Sequence, residues 1–271
     1  MNGEEQQKRV QDNVAIFVDY DNVYWTLMKN YKHDPDHEDP EKNLFIKLWK
    51  RYGKDNVRTF RVYADFQKIR TSLTSLQQKR IQIRHVYSNG ERKNSSDIEL
   101  CIDAIETTYR DSTITCYVFV TADSDMIPIL SRMMYKGKRV ELFYIKDAAP
   151  KYVDITSYAH YSEDLLDFLN VEREVKHNLD DFIEEALKYI DEWHKNNGNY
   201  PNKFLGRKWL SEGLIDKLVI PPDVCAELID KLKLDGYIVE EPKRLDNGKE
   251  RIEFRLTSKA YDLLYHHSLS R

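Results

Sequence analysis

The chain has 271 residues, 41% of them hydrophobic, with a formal net charge of −4 and a pI near 6.1. This composition predicts a packed globular protein and excludes a globally basic nucleic-acid binder, so any nucleic-acid contact must come from a local basic patch. No apolar run approaches the roughly 20 residues that a membrane span needs, and the three cysteines, outside any CxxC motif, predict buried thiols in a reducing cytoplasm.

The first half of the chain predicts strands that alternate with helices. The apolar run Val14–Val18 is typical of a strand buried on both faces. Further strands are predicted at residues 57–63, 81–87, 116–120 and 139–144, and helices at about 41–52, 66–79, 97–110 and 124–136. This alternation predicts an α/β fold with a parallel sheet and helices on both of its faces.

The second half predicts a separate, smaller α+β domain. Residues 154–178 are interpreted as a closing helix and a linker, which gives a first domain at 1–170 and a second at 171–271. In the second domain, three predicted helices precede a hairpin that turns at Asn247-Gly248. This order resembles a winged helix, with a recognition helix and wing between Leu228 and Thr257.

Acidic residues stand where the predicted strands of the first domain end or where its helices begin. Asp19 follows the first strand, Asp97 opens a helix, and Asp123 and Asp125 follow the fourth strand. Ligands bind parallel sheets at the carboxyl ends of the strands. Carboxylates that converge there would form an oxygen-rich site for a hard divalent cation. The alternative for Asp123 and Asp125 is helix capping together with Ser124.

Three segments resemble the NYN domain family, a branch of the PIN-like nucleases: FVDYDN at Phe17–Asn22, SSDIELCID at Ser95–Asp103 and VFVTADSDMIPI at Val118–Ile129. The resemblance covers residues 12–165 and implies a ribonuclease that depends on Mg²⁺ or Mn²⁺. Carried over by position, it implies the catalytic metal ligands Asp19, Asp97, Asp123 and Asp125, the further candidate ligand Asp103, and the supporting residues Asn22, Thr121 and Ser124. The role of Asp21 is left open, with exposure to solvent as one possibility.

The expected substrate is RNA, in single-stranded form and cut internally. Arg84, Arg92 and Lys93 lie in a basic stretch before Asp97 and are predicted to contact phosphates. Tyr24 is a candidate for stacking on an unpaired base, with a place in the helix core as the alternative. The second domain could bind nucleic acid through Lys231, Lys233, Lys243, Arg244 and Lys249, or it could bind a protein partner.

Two other functions remain open from the sequence. Phe17–Val23 also fits the hhDxDxV pattern of haloacid-dehalogenase-like phosphatases, with Asp19 as nucleophile and Asp21 as general acid. That pattern leaves Asp97 and Asp103 without a role. A non-catalytic RNA-binding scaffold is the second alternative. The sequence predicts no oligomeric state.

Overall fold

The computed structural model describes residues 12–87, 95–148, 154–173 and 175–266. The chain divides into two compact units, Met1–Arg173 and Glu174–Arg271. In the described part of the first unit, six strands form one parallel sheet in the order β3-β2-β1-β4-β5-β6. The strands are β1 (Val14–Asp19), β2 (Val57–Ala64), β3 (Gln82–His85), β4 (Cys116–Thr121), β5 (Arg139–Tyr144) and β6 (Tyr161–Asp164).

Helices cover both faces of this sheet. They are α1 (Tyr20–Tyr31), α2 (Leu44–Tyr52), α3 (Leu73–Gln78), α4 (Ser96–Arg110), α5 (Ile127–Tyr135) and α6 (Leu165–Phe168). Successive side chains of a strand point to opposite faces. Ile16 and Val18 therefore pack with the helices α1, α2, α3 and α6, whereas Ala15 and Phe17 pack with α4 and α5. The predicted parallel α/β architecture is confirmed.

The strand order places a topological switch point between β1 and β4. The chain runs outward from β1 through β2 to β3 and then returns to place β4 on the other side of β1. At such a point the connections leave in opposite directions, so a crevice opens at the carboxyl ends of the two strands. Asp19 ends β1, and Asp123 follows β4 by two residues.

The predicted closing helix within residues 154–178 is wrong. The chain forms a 3₁₀ turn (Ile155–Tyr158), the edge strand β6 and the one-turn helix α6. Among the described strands, β6 is bonded to β5 alone, and its sequence, YSED, is polar, so it lacks the hydrophobic alternation that reveals a strand. The helix predicted at 66–79 is also too long, because residues 66–68 form a turn, residues 69–71 are not helical, and α3 begins only after Ser72, whose hydroxyl accepts from the Ser75 amide. The predicted helices omitted α1.

The described part of the second unit has its own hydrophobic core. Its elements are a 3₁₀ turn (Leu179–Phe182), α7 (Ile183–Asn197), α8 (Arg207–Leu218), α9 (Pro222–Leu234), β7 (Ile238–Arg244), β8 (Glu250–Leu256) and α10 (Ser258–His266). β7 and β8 pair antiparallel around a turn in which Gly248 has φ +77°, a left-handed conformation that suits glycine. Leu187, Leu228 and Phe254 lie in the shared core. In both units, no described helix is long and apolar enough to cross a membrane.

Candidate active site

Asp19 is completely buried at the carboxyl end of β1. Its Oδ2 accepts hydrogen bonds from Asn22 Nδ2 at 2.7 Å and from Thr121 Oγ1 at 3.2 Å. Its Oδ1 is also buried and has no hydrogen-bond partner within the described part of the chain. Asp19 occupies the N-cap position of α1 but its side chain caps no amide. Helix capping therefore does not explain this acid.

The environment of Asp19 works against its charged form. Burial raises the pKa of its carboxyl from 3.8 to about 7, and the hydrogen bonds from Asn22 and Thr121 oppose that rise only in part. The carboxylates of Asp21 and Asp97 raise the pKa of Asp19 further by repulsion. A buried anion with an unsatisfied oxygen and acidic neighbours is costly, unless a cation compensates for it.

Thr121 connects Asp19 to the acids that follow β4. The register of the two strands pairs Val18 with Val120, so Asp19 and Thr121 lie side by side. Thr121 Oγ1 donates to Asp19 and accepts from the Asp123 amide at 3.0 Å. Thr121 therefore lies between Asp19 and the Asp123 amide, and Asp123 lies at the same edge of the sheet as Asp19.

Asp123 and Asp125 belong to the turn that leads into α5. Asp123 Oδ1 accepts from the Asp125 amide at 3.0 Å, so the capping alternative accounts for one oxygen of Asp123. Asp123 is half-buried and Asp125 is exposed at the start of a 3₁₀ turn, Ser124–Met126. Both acids therefore remain within reach of solvent and of a substrate.

Asp97 lies in the first turn of α4, half-buried and close enough to Asp19 to raise its pKa. Cys101 lies one helical turn further along α4, and its thiol is also close to Asp97 and Asp19. Burial raises the pKa of its thiol to about 11, and Asp97 and Asp19 add to that rise. The N-terminal end of α4 therefore places Asp97 near Asp19, at the switch point between β1 and β4. We call Asp19, Asp97, Asp123 and Asp125 the acidic edge.

Asp103 lies elsewhere, although the resemblance made it a candidate metal ligand. Its Oδ2 accepts from the Tyr63 hydroxyl at 2.8 Å and from Arg84 Nε at 3.1 Å, and Arg61 Nη1 lies at 3.4 Å. Two guanidinium groups already compensate this buried carboxylate. The structure therefore makes Asp103 part of an ion-pair cluster beside β2 and β3.

The predicted RNA contacts have mixed outcomes. Arg84 is engaged with Asp103, although its side chain stays partly exposed. Tyr24 is buried, its ring packs against Tyr20 and Trp25, and its hydroxyl accepts from the Arg70 amide at 3.3 Å, so base stacking by Tyr24 is wrong. Arg92 and Lys93 lie outside the described residues, as does the side chain of Ser124.

Asp21 is buried rather than exposed, and it ties two segments of the edge together. Its Oδ2 accepts from the Asp65 amide at 2.8 Å and from Ser96 Oγ at 3.4 Å. It therefore holds the start of α4 against the end of β2. These bonds do not suit the general acid that the phosphatase alternative requires of Asp21.

Asp65 is a buried acid at this edge that the sequence interpretation missed. It follows β2 directly, as Asp19 follows the apolar run of β1, and that position was the available signal. Lys68 Nζ lies 3.6 Å from its Oδ2, and the Gln67 amide donates to its Oδ1 at 3.2 Å. The Lys68 ammonium and the Gln67 amide therefore offset part of the free-energy cost of burying the Asp65 carboxylate.

The residues of the acidic edge fit a divalent cation by their chemistry. Mg²⁺ and Mn²⁺ prefer carboxylate oxygens, and the buried Oδ1 of Asp19 is an oxygen that has no other partner in the described segments. In the conformation of the structure, no group of three or more His, Cys, Asp or Glu residues among those described is spaced to hold a metal ion. The four acids thus lie at one edge of the sheet, and in this conformation they do not form a metal-binding group.

The basic residues predicted for the second unit are mostly paired with acids. Lys231 lies 3.2 Å from Asp180 and 3.0 Å from Asp235, and Lys233 lies 2.9 Å from Glu240. Lys243 Nζ donates to the Lys203 carbonyl at 2.7 Å, whereas Arg244 and Lys249 are exposed on the hairpin. The exposed face of α9 carries Asp223, Glu227 and Asp230.

Comparison with known proteins identifies the first unit. No curated protein matches the chain. One similar solved structure is a protein of unknown function from Vibrio parahaemolyticus RIMD 2210633, at 16% identity and a TM-score of 0.43, covering 62% of this chain and 98% of that one. That likeness is too remote to support an argument. The family model described as the NYN domain matches residues 13–164, more than half of the chain. The chain therefore belongs to the NYN domain family, which indicates a PIN-like nuclease that acts on RNA.

Proposed function

We propose that this protein is a divalent-metal-dependent ribonuclease that cuts single-stranded RNA internally at the acidic edge. The observation that carries the proposal is the buried, unpartnered Oδ1 of Asp19 at the switch point of the sheet, as the described residues show it. A buried carboxylate oxygen without a donor is rare in proteins and calls for a specific explanation. A cation beside Asp19 would provide one.

Each acid of the edge has a separate part in this proposal. Asn22 and Thr121 fix the Asp19 carboxylate by holding Oδ2, so Oδ1 is the oxygen that binds the metal. Asp97 and Asp123 would bind the same Mg²⁺ or Mn²⁺ ion from α4 and from the end of β4. Asp125 is exposed, so its carboxylate would act from the side of the acidic edge that contacts the RNA.

A bound Mg²⁺ or Mn²⁺ ion would activate a water molecule and neutralise the charge that develops on the scissile phosphate. The protein's own contribution is to keep the ligands in place. Asp21 anchors the start of α4 through Ser96, and Thr121 joins β1 to the turn after β4. Arg84, Arg92 and Lys93 are proposed to hold the RNA backbone on the α4 side.

One feature supports internal cutting, and another supports the dependence on a metal ion. Asp123 and Asp125 face an accessible sheet edge, where a chain could enter without presenting an end. The carboxylates would repel the phosphates of RNA unless a cation is present, so binding and cleavage should both depend on the metal.

The test is the incubation of a labelled circular single-stranded RNA with the full chain, with Mn²⁺ and with EDTA. We expect linear products with Mn²⁺ and none with EDTA, since a circle lacks the end that an exonuclease needs. Asp123→Asn should lose cleavage, whereas Glu172→Gln, the same kind of change at an exposed acid outside the edge, should keep it. Equal cleavage by Asp123→Asn, or hydrolysis of small phosphomonoesters in place of RNA, would overturn the proposal.

For the second unit we propose a winged-helix-like module that binds a protein rather than nucleic acid. The acidic face of α9 and the pairing of Lys231 and Lys233 with acids support this choice. Removal of Arg244 and Lys249, the exposed cations of the hairpin, should then leave RNA binding unchanged in a filter-binding assay. A drop in RNA affinity that becomes smaller at high salt would favour the nucleic-acid role instead.

A further inference from the structure

The outward face of α4 carries a stripe of exposed apolar side chains. Ile98, Ile102, Ile105 and Tyr109 are 59%, 48%, 37% and 74% exposed. They are spaced four, three and four residues apart, the repeat of a helix-pairing seam. We call these four residues the α4 stripe.

The fold of the single chain does not explain the α4 stripe. α4 packs on the sheet through Leu100 and Ala104, which are fully buried and lie on the opposite side of the helix. A surface helix is ordinarily polar on the side away from the core. Contiguous exposed apolar surface of this kind marks an interaction site in soluble proteins.

The C-terminal end of the α4 stripe contacts the residue that follows α5. Lys136 Nζ lies 4.2 Å from the centre of the Tyr109 ring and donates to its hydroxyl at 3.0 Å. Tyr135, the residue before it, ends α5 and is 86% exposed. The residue before the lysine that contacts Tyr109 is therefore a second exposed aromatic one.

The charges beside the α4 stripe differ between its two ends. Glu99 lies in the first turn of α4, and Arg110 ends the helix, where it pairs with Glu106 at 2.7 Å. If a second α4 runs antiparallel, Ile98 faces Tyr109, Ile102 faces Ile105, and Glu99 faces Arg110 at both ends. The stripe and its charges are thus self-complementary, as a two-fold interface requires.

We propose that the α4 stripe binds a second copy of this chain, with the two α4 helices antiparallel. RNA is a poorer occupant because three of the four stripe residues are isoleucines, which offer no ring for base stacking, and because Glu99 and Glu106 flank the stripe. A membrane surface is also poorer, because interfacial helices carry Lys and Arg on their flanks.

The area that the α4 stripe can bury limits how tightly two chains are expected to associate. A stable interface buries about 800 Å² on each partner. α4 has 15 residues and is therefore roughly 22 Å long, so the α4 stripe alone covers less than that area and other exposed residues must contribute to the interface. We therefore expect a dimer that dissociates in the micromolar range, about 8 kcal/mol in binding free energy.

The dimer has a consequence for the acidic edge. Asp97 precedes the stripe by one residue, so Arg110 of the second copy lies beside the N-terminal end of α4 in the antiparallel pair. That guanidinium would add a positive charge beside the acidic edge, where the RNA backbone is proposed to bind. This consequence rests on the proposed function, whereas the association itself does not.

The test is sedimentation equilibrium of the full chain at concentrations between about 1 and 100 µM, a range that brackets the expected dissociation constant. We expect the wild type to dimerise and Ile102→Glu to weaken the dimer at least about 10-fold. Leu234→Glu is the matched control, since Leu234 is 87% exposed on α9 and lies outside the stripe. A wild type that is monomeric at the highest concentration overturns the proposal, as does a loss of dimer in Leu234→Glu but not in Ile102→Glu.

A charge exchange tests the antiparallel pairing without touching the core. Arg110→Glu and Glu99→Arg should each weaken the dimer, and the double variant should restore it. Only a second copy of the same chain can be rescued in this way. A double variant as weak as the single ones overturns the antiparallel pairing. All these readouts are masses, so a protein that dimerises but cleaves no RNA would contradict the proposed function and leave this inference standing.

Discussion

Two buried aspartates on the same side of the sheet, Asp19 and Asp103, are satisfied in opposite ways. Asp103 is surrounded by Tyr63, Arg61 and Arg84, so the protein itself supplies its donors and its positive charge. Asp19 receives two neutral hydrogen bonds on one oxygen and none on the other within the described residues. The difference separates an acid whose charge the protein compensates from one whose charge we propose is compensated by a cation.

The largest effect is expected on RNA cleavage. Asp19→Asn removes the anionic oxygen that would bind the metal, and we expect the rate with Mn²⁺ to fall at least about 1000-fold. Asp103→Asn should keep cleavage within about 10-fold of wild type, once both proteins are shown to be folded by circular dichroism. If the two variants lose activity equally, Asp103 belongs to the site and the comparison fails.

The second effect is a pH dependence of stability in the metal-free protein. The folded state keeps the proton of Asp19 up to a pKa of about 7, whereas the unfolded chain releases it near 3.8. The folded protein therefore binds more protons between these values, so the contribution of Asp19 to stability falls as pH rises from about 4 to about 7. The loss is at most about 4 kcal/mol.

Thermal melts of wild type and Asp19→Asn in EDTA would measure this dependence. Asn carries no charge, so the melting temperature of Asp19→Asn should exceed that of wild type at pH 8 and approach it at pH 5. A difference between the two proteins that does not change with pH would show that Asp19 is not a destabilising buried anion.

The third effect is the stability cost of breaking the Asp103 cluster. Asp103→Asn leaves Arg61, which is mostly buried, and Arg84 without their carboxylate. We expect a loss of about 2 kcal/mol in the free energy of unfolding, measured by urea denaturation. Glu106→Gln, at an exposed acid of the same helix, should change it by less than about 0.5 kcal/mol.

The smallest effect concerns one hydrogen bond of that cluster. Tyr63→Phe removes the hydroxyl that donates to Asp103 but keeps the ring in the core. We expect a loss of about 1 kcal/mol, again from urea denaturation. A loss larger than that of Asp103→Asn would mean that the hydroxyl stabilises this region through a group other than the Asp103 carboxylate.

The sequence predicted the sheet well where its strands are central. β1 and β4 are continuous apolar runs because both of their faces are covered, and their pattern alone was enough to place the acids that end them at one edge of the sheet. β6 is a polar edge strand, recognised only through its pairing with β5. The alternation of strands and helices was enough to predict the parallel α/β architecture. It did not reveal the strand and the short helix that close the first unit.

The sequence was enough to predict the acids of the site, but not the residues that those acids contact. Asp97 and Asp103 are six residues apart, which on a helix separates their directions by about 120°, so one metal site cannot use both easily. Spacing alone could therefore have excluded Asp103. The burial of Asp21 depends on the Asp65 amide and Ser96, which lie 44 and 75 residues away in the chain. Contacts of that kind have no local signal.

Titration of the protein with Mn²⁺, followed by electron paramagnetic resonance of the free ion, tests the central claim most directly. The wild type and Asp103→Asn should take up Mn²⁺ with similar affinity. Asp19→Asn should lose at least about 10-fold in affinity, because Asp19 offers an oxygen that the described part of the protein leaves unsatisfied. Equal uptake by all three proteins, or a loss confined to Asp103→Asn, would contradict the assignment of Asp19 as the metal ligand.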